Sequence, residues 1–248
     1  RHTRFKCDWS SDVCSSDLSD GGKYLAPENA IARGLEMMAE GVDIIDVGGE
    51  STRPGATRVT EAEELARVLP VITELKKRGA KVSVDTMRSN VAAQSGADII
   101  NDVSGGKSDP KMFETVAGLG VPYVLMHWRG HSNEMDQKAI YNDVVTEVID
   151  ELLAQVELAL VAGIKKENLI LDPGLGFAKN VEQNWEIVNS ITEFKKLGYP
   201  LLIGGSRKRF LNGSEAESIK LTALMAKQDI WAVRTHSVAP HKAAIKNL

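Results

Sequence analysis

Short apolar runs rich in β-formers alternate with longer amphipathic stretches from Gly21 to the end of the chain. Seven apolar runs predict strands, at Val42–Val47, Lys81–Asp85, Asp98–Asn101, Pro122–Met126, Leu169–Asp172, Leu201–Gly204 and Trp231–Thr235. Six stretches predict helices, at Pro27–Glu40, Glu61–Arg78, Pro110–Leu119, Asn142–Ala162, Glu182–Leu197 and Glu215–Ala226. Strands that alternate with helices in this way are typical of βα units around a parallel sheet.

The number of these units indicates the architecture. Eight βα units in ~250 residues is the usual size of a TIM barrel, and the chain has 248 residues. An eighth strand would have to come first, in the opening segment. We therefore predict an α/β fold, a (β/α)8 TIM barrel whose first strand is truncated or irregular. An open, doubly wound sheet of seven strands is the alternative. The connections after Asp85 and after Ser214 are short for barrel helices, so we expect trimmed units there.

The opening segment differs in composition from the rest of the chain. It contains the tripeptide Ser-Ser-Asp twice and offers little apolar surface to bury. We predict two parts: residues 1–18 as an atypical leader, disordered or foreign to the chain, and residues 19–248 as the barrel domain. Both cysteines, Cys7 and Cys14, lie in the leader. This placement argues against a disulfide-stapled fold and a cysteine-based metal site in the barrel.

Charge and hydropathy narrow the classes of partner. Thirty basic side chains against 34 acidic ones give a formal net charge of −4, so no overall positive field is available to hold nucleic acid. No apolar run reaches the ~18–20 residues that a membrane-spanning helix needs. We therefore expect no nucleic-acid or membrane partner and a cytoplasmic location.

Polar side chains follow nearly every predicted strand. They are Asp46, Asp85, Asn101, Asp102, His127, Asp172, Ser206, Arg207, Lys208, Arg234 and His236. The carboxyl ends of all strands in a closed parallel barrel meet at one rim, so these side chains are expected to surround a single pocket. A single aspartate after a strand is more often a helix cap, but a polar group at seven successive strand ends favours a site.

The residue types at these ends suggest two kinds of ligand group. Asp85, Asn101 and Asp172 suit a flat heterocycle with amino and ring N–H donors. Lys208, Arg234 and His236 follow the seventh and eighth strands, where TIM barrels commonly bind phosphate, and this predicts a phosphorylated or diphosphorylated substrate. Three glycine-rich loops, at 46–55, 172–177 and 204–209, lack the order of a P-loop. His127 and His131 lack zinc-ligand spacing, so we assign neither a metal nor a catalytic role.

Six motifs in order resemble the dihydropteroate synthase family. They are D-V-G-G-E-S-T-R-P-G at 46–55, S-V-D-T at 83–86, I-N-D-V-S-G-G at 100–106, L-M-H at 125–127, L-D-P-G-L-G-F at 171–177 and S-R-K-R-F at 206–210. The resemblance implies a transferase of folate biosynthesis. Such an enzyme condenses 6-hydroxymethyl-7,8-dihydropterin diphosphate with para-aminobenzoate, giving 7,8-dihydropteroate and pyrophosphate.

The resemblance also implies individual roles. Catalytic roles fall on Lys208, Arg53 and Asp85. Substrate-binding roles fall on Thr52, Asp85, Asn101, Met126, Asp172, Phe177, Lys208, Arg234 and His236. Among these, Thr52, Arg234 and His236 would hold the diphosphate, and Arg53 lies in a loop that would cover para-aminobenzoate.

The remaining implications concern cofactor, assembly and rival functions. The family uses Mg²⁺ on the diphosphate, bound in part by an asparagine of the first strand; no asparagine stands there in this chain, so no metal ligand is assigned. A homodimer is implied. A pterin-binding methyltransferase of the same barrel class and a truncated, inactive remnant are the alternatives. Lys208, Arg234 and His236 argue against the methyltransferase, which handles no diphosphate.

Overall fold

A computed structural model describes residues 9–12, 27–50, 58–130 and 135–248. Its strands are β1 (Trp9–Asp12), β2 (Ile44–Gly48), β3 (Val82–Asp85), β4 (Ile99–Asp102), β5 (Tyr123–Met126), β6 (Leu169–Asp172), β7 (Leu202–Gly204) and β8 (Ala232–Thr235). Its α-helices are α1 (Pro27–Glu40), α2 (Glu61–Lys77), α3 (Ser89–Ser95), α4 (Met112–Leu119), α5 (Val144–Val161), α6 (Val181–Asn189), α7 (Ile191–Lys195), α8 (Glu215–Lys227) and α9 (Val238–Lys246). One-turn 3₁₀ helices occur at Met135–Lys138, Lys166–Asn168 and Arg209–Leu211.

The strands form one closed parallel sheet. Their order is β6-β5-β4-β3-β2-β1-β8-β7, and every pairing is parallel. The two ends of this order meet where Leu171 bridges Leu201 and donates its backbone N–H to the Pro200 carbonyl at 2.9 Å. The predicted (β/α)8 barrel is confirmed, and the open, doubly wound sheet is excluded.

The first strand lies within the segment that the sequence analysis set apart as a leader. β1 pairs with β2 on one side and with β8 on the other, and its register to β2 shifts between Ser10 and Asp12. Four residues with a shifted register agree with the expected truncated or irregular first strand. β1 nevertheless fills the seam that a missing strand would have left open. The prediction that residues 1–18 are disordered or foreign stays a prediction, since the structure describes only β1 there.

Local capping signals set where several helices begin and end. Thr60 and Asn180 each accept a hydrogen bond from the backbone N–H three residues later in a capping box, which starts α2 and α6. The Asp143 side chain accepts from the backbone N–H of Thr146 and so caps α5. Gly96, at φ 63°, ends α3 after only seven residues, so the trimmed unit expected after Asp85 is present.

The structure differs from the predicted helices in three places. The stretch predicted as one helix at 182–197 is two helices, because the backbone leaves helical geometry at Ser190. The unit after Ser214 is not trimmed: α8 has 13 residues. α9, which follows the last strand and contacts α1 and α8, was not predicted.

The barrel interior contains a layer of six apolar side chains from six different strands. They are Ile44, Ile99, Val124, Ile170, Leu202 and Ala232. A separate, larger core lies between the strands and the surrounding helices. Side chains alternate between the two faces of a strand, so residues two positions further along also face the barrel axis, nearer the carboxyl ends. This inner layer is therefore the floor of any site at that rim.

Candidate active site at the carboxyl ends of the strands

The residues two positions after the inner apolar layer are mostly polar. They are Asp46, Asn101, Met126, Asp172, Gly204 and Arg234, and Asp85 occupies the corresponding place on β3. Asp46, Asp85, Asn101 and Asp172 are all buried. The parallel strands of the barrel thus bring five of the predicted site residues to one rim. They are Asp85, Asn101, Met126, Asp172 and Arg234.

Asp46 lies at the centre of a buried hydrogen-bond network. Its carboxylate accepts a short bond from the Ser83 hydroxyl, a bond from Asn101 Nδ2 at 3.0 Å and a bond from Arg234 Nε at 2.8 Å. Burial raises the pKa of Asp46 to about 6, against the lowering effect of the bonds from Ser83 and Asn101. Sequence reasoning noted Asp46 as a strand end but gave it no role. The structure shows that it fixes three neighbours.

Arg234 joins two of the carboxylates. Besides its bond to Asp46, its Nη2 lies 3.2 Å from Asp85 Oδ2. Burial lowers the pKa of Arg234 to about 10, so the guanidinium keeps its charge at neutral pH. Burial, followed by the charges of Asp46 and Glu64, raises the pKa of Asp85 well above its ordinary value. Arg234, which the sequence analysis assigned to the diphosphate, thus also holds the two carboxylates in place.

Asp172, Lys208 and Phe177 form the opposite side of the rim. Asp172 Oδ1 accepts from the Gly174 N–H at 2.7 Å, and Lys208 Nζ lies 4.5 Å from the centroid of the Phe177 ring. Lys208 Nζ also donates a short bond to the Leu175 carbonyl. Burial raises the pKa of Asp172 to about 6, which the Lys208 charge opposes; burial lowers that of Lys208 to about 8, which the Asp172 charge opposes.

Gly176 makes room for Lys208. A Cβ at this position would lie 2.6 Å from Lys208 Cδ, and the backbone has φ +77°. Both facts require glycine, because a side chain there would displace the lysine and would be strained. The second predicted glycine-rich loop therefore has a steric reason for its composition.

His236 and Met126 complete the described part of the predicted site. His236 Nδ1 lies 3.0 Å from the Ser206 hydroxyl, which also accepts from the His236 backbone N–H at 3.3 Å. Met126 is buried, and its side chain lies 3.4 Å from the place that a Cβ of Gly174 would occupy. Thr52 and Arg53, like Cys7, Cys14 and His131, lie outside the described residues.

Sequence reasoning missed the support beneath the 174–177 turn. Lys179, which is buried, donates to the carbonyls of Gly174 and Phe177 and contacts His127. A lysine two residues beyond the Gly-Phe pair was a visible signal, but nothing in the sequence shows that it turns inward. Asp102 has a structural role instead: it accepts from Ser104, the Gly106 N–H and Tyr123.

Comparison with known proteins identifies the family. The model of the pterin binding enzyme family matches residues 12–236. The chain belongs to this family. It is 47% identical to dihydropteroate synthase of Mycobacterium leprae in an alignment 253 residues long that covers 95% of this chain and 89% of that protein. It is 45% identical to the Bacillus subtilis dihydropteroate synthase, covering 81% of this chain and 69% of that one.

Solved structures of pterin-binding enzymes match the whole barrel. The Yersinia pestis dihydropteroate synthase, solved with a sulfonamide drug complex, superposes with a TM-score of 0.91 at 33% identity and covers 97% of this chain and 92% of its own. The Anaplasma phagocytophilum enzyme, solved with 6-hydroxymethylpterin-monophosphate, gives a TM-score of 0.87 at 30% identity and covers 96% of both chains. The chain is thus a transferase of the dihydropteroate synthase group in folate biosynthesis, as the six motifs implied.

The described residues at the rim supply no ready-made magnesium site of their own. Mg²⁺ is usually bound through one or two carboxylates together with substrate phosphates. The described residues contain no group of three or more His, Cys, Asp or Glu side chains that could hold a metal ion. Asp46 and Asp85 are bound to Arg234. We therefore assign no protein ligand to the ion.

In the described part of the chain, no helix is long and apolar enough to span a bilayer.

Proposed function

We propose that the rim binds the pterin diphosphate and para-aminobenzoate and joins them into 7,8-dihydropteroate with release of pyrophosphate. The position of Asp85, Asn101 and Asp172 carries this proposal: all three are buried at strand ends, above the apolar floor. Buried carboxylate and amide oxygens cost free energy unless donors satisfy them, and an ionised carboxylate accepts about four bonds. The amino and ring N–H groups of a pterin supply those donors.

The pterin ring fits between the two sides of the rim. Asn101 donates its amide N–H to Asp46, so its carbonyl oxygen is the acceptor for a ring N–H. Met126 and Phe177 offer apolar surface to the ring faces. Lys208 lies over the Phe177 ring and donates to the oxygen and nitrogen acceptors of the pterin.

The diphosphate and the amine take the remaining residues. In this proposal Arg234, His236 and Thr52 bind the diphosphate, and Arg53 contributes to the binding of para-aminobenzoate. Arg234 suits the task because its guanidinium stays charged while Asp46 and Asp85 fix its orientation. A fixed cation stabilises charge that develops on a leaving group without having to reorganise.

The reaction then needs no covalent bond to the enzyme. The carbon–oxygen bond between the pterin methylene and the diphosphate breaks, and pyrophosphate leaves with the electron pair. The amino nitrogen of para-aminobenzoate forms the new carbon–nitrogen bond and gives up a proton to solvent. Because the enzyme holds the two substrates in line, the entropic part of the activation free energy is lower.

Some implications of the resemblance stay predictions. These are Mg²⁺ bound with the diphosphate, a homodimer and a cytoplasmic location. The Xanthomonas albilineans dihydropteroate synthase has been solved with 4-aminobenzoic acid, and this supports para-aminobenzoate as the second substrate here.

The test is turnover by the full chain, with variants on the pterin side of the rim. We expect equimolar dihydropteroate and pyrophosphate from the two substrates, measured with and without Mg²⁺. Lys208→Ala and Asp172→Ala should each abolish pterin binding in a titration, since one removes a donor to the ring and the other its anionic partner. Lys220→Ala and Glu217→Ala, which break an exposed pair on α8, are the matched controls.

The outcomes separate the candidate functions. Pterin binding without any turnover would indicate the inactive remnant. Unchanged pterin affinity in Lys208→Ala or Asp172→Ala would refute the assignment of the pocket. Turnover that does not require the diphosphate would favour the methyltransferase.

A further inference from the structure

The ammonium group of Lys179 has three acceptors within hydrogen-bond distance. Nζ donates to the Gly174 carbonyl at 3.0 Å, to the Phe177 carbonyl at 2.9 Å and to His127 Nδ1 at 3.0 Å. An ammonium carries three N–H donors, so each donor has one acceptor. The side chain is buried, with 7% of the residue exposed. This number and arrangement of bonds fixes the lysine and the three groups it touches.

Two of those acceptors are the ends of the turn that carries Phe177. The Phe177 N–H donates to the Gly174 carbonyl at 3.1 Å, which closes the turn, and Lys179 binds both carbonyls from below. Ala178, between Phe177 and Lys179, has φ +47°, a left-handed conformation that costs free energy for a residue with a side chain. The Tyr141 hydroxyl donates to the Ala178 carbonyl at 3.0 Å. The turn therefore depends on outside contacts for its shape.

The third acceptor, His127, connects Lys179 to the strand ends. His127 Nδ1 accepts from Lys179, so its Nε2 carries the proton and donates to Glu151 Oε2 at 3.0 Å. The His127 backbone N–H donates to the Asp172 carbonyl at 2.8 Å. Arg129 holds Glu151 in turn, with Nη2 2.6 Å from Glu151 Oε1. The lysine is thus joined to β5, to β6 and to α5.

We propose that Lys179 is a positioning residue for the pterin ring, because it holds the 174–177 turn so that Phe177 lies beneath Lys208; this inference rests on the proposed function. Nothing about the barrel requires a cation at this place, since a buried charge is costly and a well-packed apolar side chain often stabilises as much. What the cation adds is a fixed turn. Lys208 itself donates to Leu175 within that turn, so a shift of the turn moves both groups that face the pterin.

Lys179→Met in the full chain, with Lys179→Gln beside it, tests the proposal. The methionine keeps the apolar stem of the side chain and removes all three donors, whereas the glutamine keeps N–H donors without charge. We expect Lys179→Met to raise the Kd and the KM for pterin diphosphate about tenfold, the effect of losing bonds from a charged donor. The KM for para-aminobenzoate should stay within twofold. Lys179→Gln should recover part of the pterin affinity.

Lys76→Met is the control. Lys76 Nζ also donates to a backbone carbonyl, that of Gly96 at 2.6 Å, and to Asp98 at 2.8 Å, but these lie at the amino end of β4, away from the rim. This variant should leave both KM values unchanged. If Lys179→Met does not fold, Lys179→Gln carries the test, with an expected rise in pterin Kd alone.

Three results would overturn the proposal. One is a folded Lys179→Met, or Lys179→Gln where the methionine variant fails to fold, with unchanged pterin Kd. Another is an equal loss of affinity for both substrates together with a lower Tm, which indicates a general structural role. A parent chain that binds no pterin would overturn the proposed function as well, whereas a normal parent beside unaffected variants would overturn only the role of Lys179.

Discussion

The two sides of the barrel rim hold their charged groups in different ways. On the side formed by β2, β3, β4 and β8, side chains bond directly to one another, with Asp46 at the centre and Arg234 bridging to Asp85. We name this group, Asp46, Ser83, Asp85, Asn101 and Arg234, the carboxylate network. On the side formed by β6 and β7, Lys179 and Lys208 bond mainly to backbone carbonyls. We name Asp172, Lys179 and Lys208 the lysine side.

This difference affects how the charged side chains on each side are held before a ligand binds. The side chains of the carboxylate network bond to one another, so their positions are set before any ligand arrives. A carbonyl oxygen is neutral and orients an ammonium without cancelling its charge. Holding ammonium groups in this way costs stability, because the burial that lowers the pKa of Lys179 and Lys208 also destabilises their charged forms.

The largest expected effect comes from breaking the carboxylate network at its centre. Asp46→Ala leaves Arg234 without its closer carboxylate and leaves Ser83 and Asn101 without their acceptor. Removing one partner of a buried ion pair typically costs about 3–5 kcal/mol. Since Arg234 is partly exposed, we expect about 3 kcal/mol of lost unfolding free energy, measured by denaturant titration. Lys208→Met should cost less than about 1 kcal/mol by the same measurement, because its partner is a carbonyl.

The control for this comparison is Asp150→Ala, which truncates an exposed aspartate of α5. It should change the unfolding free energy by no more than about 0.5 kcal/mol. Equal losses in Asp46→Ala and Lys208→Met would show that the two sides are supported alike, and the distinction drawn between them would fail.

The sequence predicts the positions of the site better than its connections. Strands end on polar residues, and alternation places those residues above an apolar layer, so Asp85, Asn101, Asp172 and Arg234 follow from the pattern alone. The hydrogen-bond partners of these residues do not follow from the pattern. Arg234 and Asp46 are 188 residues apart, and only the pairing of β1 with both β2 and β8 brings them together. A register of this kind is a property of the closed sheet and leaves no local pattern.

The missed features have similar causes. Lys179 and His127 are 52 residues apart, and a lysine after a loop reads as a solvated charge. The break at Ser190 left no signal, because buried apolar residues continue at helical spacing on both sides of it, at Ile187 and Ile191. α9 was missed although Pro240 lies in its first turn, where a proline is tolerated.

An intermediate effect is expected from crowding the lysine side without removing a charge. Gly176→Ala places a Cβ 2.6 Å from Lys208 Cδ, so the lysine must move, and we expect about a tenfold loss of pterin affinity. Gly198→Ala is a matched control, because Gly198 has φ +74° and nothing within 4 Å of its added Cβ. Both variants should lose about 1 kcal/mol of stability from the left-handed backbone. Equal pterin affinity in the two, measured by titration, would show that Lys208 tolerates displacement.

The smallest expected effect is a pH-dependent difference in stability between the parent and Lys179→Met. Burial lowers the pKa of Lys179 to about 7, although Asp172 and Glu151 favour its charge, while Lys208 and Arg129 oppose it. An unfolded lysine titrates near 10.4, so between these values the unfolded chain binds the extra proton. The parent therefore gains stability as pH rises above about 7, and it bears the full cost of the buried charge below that pH.

Methionine has no such cost, so Lys179→Met should be more stable relative to the parent at pH 6 than at pH 9, by on the order of 1 kcal/mol. Denaturant unfolding of both proteins at the two pH values measures this difference, and Lys76→Met serves again as the surface comparison. A difference that is the same at pH 6 and at pH 9 would mean that the folded chain keeps the Lys179 proton across this range, so that the site does not lower its pKa. The buried ammonium would then cost the folded chain no free energy over this range, and the two sides of the rim would not differ in the cost of their charged groups.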